Sequence, residues 1–203
     1  MSYMGKLIRV DLSNGTISYE DTPLDLARQY IGGRGLGSRI FINEVDPKVD
    51  ALGPDNKLIF MTGPLSNTTA PTGGRYMVVT KSPLTGALSC SNSGGVFPTE
   101  MKRTGFDLFV FQGQADHPVY LWVQDGEAEL RPAGHLWGRT VSETEDALLE
   151  ETDSKARVAV IGPAGEGLAL IAAIMNDKHR AAARSGVGAV MGSKNLKAIA
   201  VRG

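Results

Sequence analysis

Arginines set among glycines occur in both halves of this 203-residue chain, each time downstream of an apolar run that ends in Gly-Pro. The first group lies in KLIFMTGPLSNTTAPTGGRY (57–76), the second in RVAVIGPAGEGLALIAAIMNDKHRAAARSGVGAVMGSKN (157–195). Glycine lets a backbone approach a ligand closely, and an arginine beside it offers a planar cationic fork suited to phosphate. A chain that builds this twice is suited to one large anionic ligand held from two sides, or to two similar ligands.

Three constellations carry this reading. In PTGGRY, Gly73 and Gly74 clear the space before Arg75; a turn with a surface arginine explains it equally well. In SNSGG (91–95), Asn92 and Ser93 offer polar groups, and Gly94 and Gly95 expose main-chain atoms; this too is ordinary loop chemistry. In HRAAARSGVGAVMGSKN (179–195), His179, Arg180, Arg184, Lys194 and Lys197 surround small residues, a pattern that favours a phosphate-bearing ligand over a bland loop. No G-x-x-x-x-G-K-[ST] loop occurs, and GGRGLG (32–37) does not match G-x-G-x-x-G. His117, His135 and His179 are too dispersed for a zinc site, and no Ser/His/Asp triad is apparent.

Composition narrows the partners. A formal net charge of −1 argues against a dedicated nucleic-acid binder. One cysteine, Cys90, excludes an internal disulfide and a cluster held by this chain's thiolates alone; it reads as a small buried hydrophobe. The N-terminal residues lack a signal-peptide core and no stretch reaches the roughly 18 apolar residues of a membrane span, so the expected location is cytoplasmic.

The elements that must position these loops follow from periodicity. Alternation on either side of Asn14-Gly15 predicts a hairpin over 5–20. Helices are expected at 24–30 and 33–45, the latter with Leu36, Ile40 and Phe41 on its apolar stripe. Strands are expected at 57–63, 75–82, 106–114, 119–126, 157–162 and 196–201, with Asp125-Gly126 turning one into its partner. SETEDALLEE (142–151) predicts a helix capped by Ser142 and Glu145, and LALIAAIMN (168–176) a further helix. Strands outnumber helices without regular alternation, which indicates α+β. The recurring order of strand, Gly-Pro, loop and strand suggests internal duplication. The chain stops directly after LKAIAVRG, as expected of a piece of a longer protein.

At these same loops the chain resembles the N-terminal domain of the tungsten-containing aldehyde ferredoxin oxidoreductase family. GKLIRVDLSNG, IGGRGLG, NKLIFMTGPL, APTGGRYMVVTKSPLTG, SNSGG, TGFDLFVFQGQA, PVYLWVQDG, LWGRTVSETE, VAVIGPAGE, AAIMNDKHRAA and GVGAVMGSKNLKAIAV carry the likeness, in order, over essentially the whole chain. The resemblance implies an α+β domain over 1–203, with two pseudo-symmetric β-rich repeats and a few helices, on which a tungsten (or molybdenum) bis-molybdopterin rests. It implies Mg²⁺ between the pterin phosphates, held by the main-chain carbonyls of Asn92 and Ala181, oxygen ligands suited to a hard cation. By position, Arg75 resembles the arginine between pterin and cluster; Ser93, Gly94, Gly95, Arg180, Ala182, Ala183 and Arg184 fall in the pterin-contact loops. A 4Fe-4S cluster would take its ligands from later domains, with ferredoxin as electron acceptor, an aldehyde as substrate and a homodimer as a frequent assembly in the family. The family commonly reads AAGRGG where this chain has AAARSG, so Ala183 and Ser185 replace glycines; either is strained if its φ is positive. From the residues alone, a small subunit or an anion- or nucleotide-binding module without redox chemistry stays open.

Overall fold

A computed structural model describes residues 3–203. Among the described residues, twelve strands form two six-stranded sheets. The first contains β1 (Lys6–Asp11), β2 (Thr16–Asp21), β3 (Leu58–Thr62), β4 (Tyr76–Lys81), β5 (Leu88–Ser93) and β6 (Leu108–Gln112). The second contains β7 (Val119–Gln124), β8 (Glu127–Pro132), β9 (Arg157–Val160), β10 (Ile174–Asn176), β11 (Arg180–Ala182) and β12 (Leu196–Arg202). The order is β2-β1-β6-β3-β4-β5 in one and β8-β7-β12-β9-β10-β11 in the other, so each strand of the second sheet stands where its counterpart six earlier stands in the first. Directions repeat as well: β1–β6 and β7–β12 are the parallel pairs, and every other neighbouring pair is antiparallel. The expected duplication is therefore present in the topology itself.

The central strands β3, β6 and β12 read as apolar runs because both faces of the sheets are covered there. In β3, Leu58 and Phe60 enter the cluster between the sheets, while Ile59 and Met61 point to the outer face. Helices α1 (Leu24–Tyr30) and α2 (Gly33–Glu44) cover that outer face through Ala27, Leu36, Ile40 and Phe41. The second sheet is covered by α4 (Val141–Glu151) and a 3-10 turn, Gly134–Leu136, through Leu136 and Leu148. Helices α3 (Phe97–Arg103) and α6 (Val187–Ser193) lie between the sheets and touch both. Phe97, Met101, Val187, Val190 and Met191 complete the central core.

Several local expectations need correction. Residues 168–176 do not form a helix: a short α5 (Pro163–Glu166) precedes turns, and Ile174–Asn176 is strand β10. The apolar run LALIAAIMN was too short for its helical period to be distinguished from a buried strand. The capping box of α4 is Thr140 with Glu143, two residues before the predicted Ser142–Glu145 pair. Glu145 is buried and its carboxylate instead accepts from Lys178 N at 2.9 Å. The glycines of α6 serve packing. A Cβ on Gly192 would stand 2.0 Å from Gly165 O, and one on Gly188 would stand 2.5 Å from Ala173 O, so the helix can nest here only without side chains at these positions.

Lys102 and Asp107 form a buried ion pair, Nζ to Oδ1 at 2.8 Å, with side chains 2% and 1% exposed. Asp107 also accepts from Met4 N, Gly5 N and the Thr22 hydroxyl, tying the first strand and the segment before α1 to the sheet. Removing one partner strands the other charge. Asp107→Ala is expected to lower the unfolding free energy by about 3–5 kcal/mol. Urea denaturation checks this, and a double replacement with apolar residues of matched size should cost much less.

Candidate functional site

The site is built where the two sheets' edges meet. Among the described residues, β5 pairs only with β4 and β11 only with β10, so each is an edge strand. The two edges contact one another, and Arg184 N donates to Ser91 Oγ at 3.0 Å. SNSGG (91–95) and RAAAR (180–184) therefore lie side by side although they are far apart in the chain. Each loop then runs into one of the helices buried between the sheets.

The duplicated topology redefines which loops correspond. The sequence pairs the Arg75 loop with the 180–184 loop, whereas the strand order pairs β5 and its following loop with β11 and its following loop. Arg75 stands one residue before β4 and reaches across to its own repeat's loop, its guanidinium donating to Asn92 Oδ1. Arg75, Arg180, Ala181, Ala183 and Arg184 are exposed; Asn92, Gly94 and Gly95 are half-buried; Ser93 and Ala182 are buried. Among the described residues, no carboxylate pairs with Arg75, Arg180 or Arg184. The three guanidiniums thus remain available to an anion at one edge of the molecule.

Two cations assigned to this region from sequence lie elsewhere. Lys194 is fully buried and its Nζ donates to Gly113 O at 2.9 Å and Pro54 O at 3.4 Å. Lys197, also buried, pairs with Glu166 and donates to Arg139 O at 3.1 Å. Both hold the fold together. Cys90 is only half-buried, on β5 beside Arg34, and burial raises its thiol pKa.

Residues that sequence reasoning passed over organise the loop. Asn176 is fully buried; its Nδ2 donates to Gly94 O at 2.8 Å and its Oδ1 accepts from the Tyr76 hydroxyl at 3.2 Å. Burial, reinforced by the charge of Asp177, holds the Tyr76 hydroxyl far above its ordinary titration range, so it stays a donor. Asp177 and Lys178 both have positive φ, +47° and +56°, which closes the β10–β11 turn. The available signal was the Asn-Asp pair at the end of an apolar run, a composition typical of such turns.

Gly95 has φ +96°, and a Cβ there would meet Asp177 Oδ2 at 2.0 Å. Of the two positions where glycine was expected, Ser185 has φ +67° and is strained, whereas Ala183 is not in the left-handed region.

The aldehyde ferredoxin oxidoreductase N-terminal domain family matches residues 7–203. The chain belongs to that family. Its relatives are oxidoreductases. A tungsten-containing aldehyde ferredoxin oxidoreductase of Pyrococcus abyssi is 56% identical over 99% of this chain, which covers 33% of that relative. An aliphatic sulfonate oxidoreductase, WOR-like subunit, of Pyrococcus furiosus is 35% identical over 100% of the chain and 35% of the relative. The active site complex BamBC of benzoyl coenzyme A reductase, solved with 1,5-dienoyl-CoA, shares the fold with a TM-score of 0.97 and 37% identity, covering 100% of this chain and 31% of that one. The chain thus spans about a third of the length of these family members.

The exposed guanidiniums of Arg75, Arg180 and Arg184 fit an anionic ligand. Among the described residues, no three His, Cys, Asp or Glu side chains gather where they could hold a metal. A hard cation at these loops would have to draw on main-chain and ligand oxygens. No helix among the described residues is long and apolar enough to cross a membrane.

Two outcomes test these assignments. Ser185→Gly is expected to raise stability by about 1 kcal/mol by relieving the left-handed serine, while Ala183→Gly should bring no gain; chemical denaturation reads both. Burial pulls the Lys194 ammonium down to about 8 from 10.5. The unfolded chain therefore binds this proton more tightly, and folding stability should rise as pH increases from 8 to 10.5. The gain is about 3 kcal/mol, read as the difference between the native protein and Lys194→Met, which should lack it.

Proposed function

We propose that residues 1–203 form the cofactor-binding N-terminal domain of an enzyme that oxidises aldehydes to carboxylic acids at a tungsten (or molybdenum) bis-molybdopterin centre. The observation that carries this is the doubled strand order, which brings two equivalent loops to one place as a twofold cradle for a ligand made of two like halves. The 56% identity to aldehyde ferredoxin oxidoreductases favours this substrate class over that of the 37% identical benzoyl coenzyme A reductase complex.

In this reading each half of the cofactor lies on one loop: one on Ser93, Gly94 and Gly95, the other on Arg180, Ala182, Ala183 and Arg184. Arg180 and Arg184, exposed and unpaired, neutralise phosphate; main-chain carbonyls of Asn92 and Ala181 supply oxygens to Mg²⁺. The bound metal–pterin centre supplies the redox chemistry itself. Arg75, oriented by Asn92 Oδ1, holds a fixed positive charge at the rim of the first loop, where it favours electron density on the ligand. Because the chain covers a third of its aldehyde-oxidising relatives, the 4Fe-4S ligands, the substrate pocket and the ferredoxin contact belong in this reading to the remaining domains. The assembled enzyme would be cytoplasmic and homodimeric. A stand-alone anion- or nucleotide-binding module is the competing reading, which tight nucleotide binding without pterin by calorimetry would favour.

The test uses the full-length protein made anaerobically with tungstate. Tungsten and pterin are expected to co-purify with it, at two pterins per metal. Arg75→Ala is expected to lower kcat for aldehyde oxidation by about 10–100-fold. Wild-type occupancy together with wild-type activity in that variant would remove Arg75 from the mechanism.

A further inference from the structure

The hairpin turns behind the two loops cross between the repeats. Asp177 follows β10, and its Oδ2 accepts from Val96 N at 2.6 Å, in the loop that follows β5, and from Phe97 N at 3.5 Å, at the start of α3. Its neighbour Asn176 fixes Gly94 O in the same loop and donates to Asp177 Oδ2 at 3.1 Å. Ser82 occupies the corresponding place after β4, fully buried. Its hydroxyl donates to Ser185 O at 2.9 Å, in the loop that follows β11, and accepts from Leu84 N and Thr85 N in its own turn.

Each repeat thus grips the other's loop by the main chain, in both directions. The grips take up Gly94 O and Ser185 O, on the helix side of each loop, and use no main-chain atom of the strand residues that precede them. The Asp177 turn is itself braced from behind, since Lys178 N donates to Glu145 of α4 and Lys178 Nζ pairs with Asp146. Gly95 is glycine because the Asp177 carboxylate stands where its Cβ would be.

We propose that Ser82 and Asp177 are reciprocal positioning residues, each set in one repeat to fix the ligand loop of the other, so that the two half-sites form and load together. This rests on the cofactor-binding reading given above for what is loaded, but the clasp between the loops stands on these hydrogen bonds alone. Loosening either grip frees both loops, because Arg184 N and Ser91 Oγ already join them. One half-site therefore does not persist without the other.

The experiment compares full-length wild type, Ser82→Ala, Asp177→Ala and Asp177→Asn, whose side-chain carbonyl still accepts from Val96 N. Amide hydrogen exchange is read across 91–97 and 180–186, and tungsten, pterin and magnesium retained per chain are measured after dialysis against EDTA. Asp177→Ala and Ser82→Ala should each speed exchange in both loops, with the central strands β1, β6, β7 and β12 and helix α4 unchanged. Retained cofactor should fall about tenfold, with both pterins lost together. Asp177→Asn should restore most of it. Exchange confined to the loop directly released, or spread evenly over the chain, overturns the clasp. Loosened loops with wild-type retention overturn its role in loading. A wild-type enzyme without pterin defeats the cofactor reading instead, and the exchange results still decide the clasp.

Discussion

The burial of α3 and α6 between the two sheets is the constraint on which the rest depends. Both helices touch both sheets, and their apolar residues complete one continuous core rather than two. Close approach is enforced at α6, where Gly188 and Gly192 leave no room for a side chain against the segment around α5. Once the helices are fixed, the loops that enter them have one end anchored in the core and the other on an edge strand. Loop conformation is then set by packing at both ends, which is how short glycine-rich segments can keep one course.

The fold class and most of the elements were legible in the sequence because they rest on period and turn chemistry. Asn14-Gly15 and Asp125-Gly126 marked hairpins that are present, and the stripe of α2 is buried as its spacing requires. The strand pairing across the duplication was legible only as a hint, since loop lengths differ between the halves. What escaped were elements whose burial comes from the partner repeat. β5 reads as polar serines and asparagine, β11 is three residues long, and α6 is so rich in small residues that its glycines resembled a ligand loop. Tertiary context supplies what those segments lack locally.

The site shows the same division. Arg75, Arg180 and Arg184 are exposed as their residue type suggests, but Lys194 and Lys197, close to them in sequence, face inward and satisfy carbonyls and a carboxylate. Charge in a glycine-rich stretch therefore does not distinguish a ligand contact from a buried tie; only the direction of the side chain does. Conversely Asn176, an unremarked polar residue at a strand end of the second sheet, crosses the interface to hold both Tyr76 and Gly94 of the first repeat. Main-chain groups carry most of this arrangement, and they leave no residue signature to search for.

The doubled strand order has a consequence for asymmetry. Two identical chains related by a dyad must carry every functional group twice or not at all. Here a single chain repeats the plan, and the position one residue before β4 is Arg75 while that before β10 is Ala173. The two faces share a scaffold yet differ in charge, so a ligand with two like halves would experience an unequal field and acquire a direction. Covalent joining of the halves is what permits such polarity to be written into an otherwise twofold cradle.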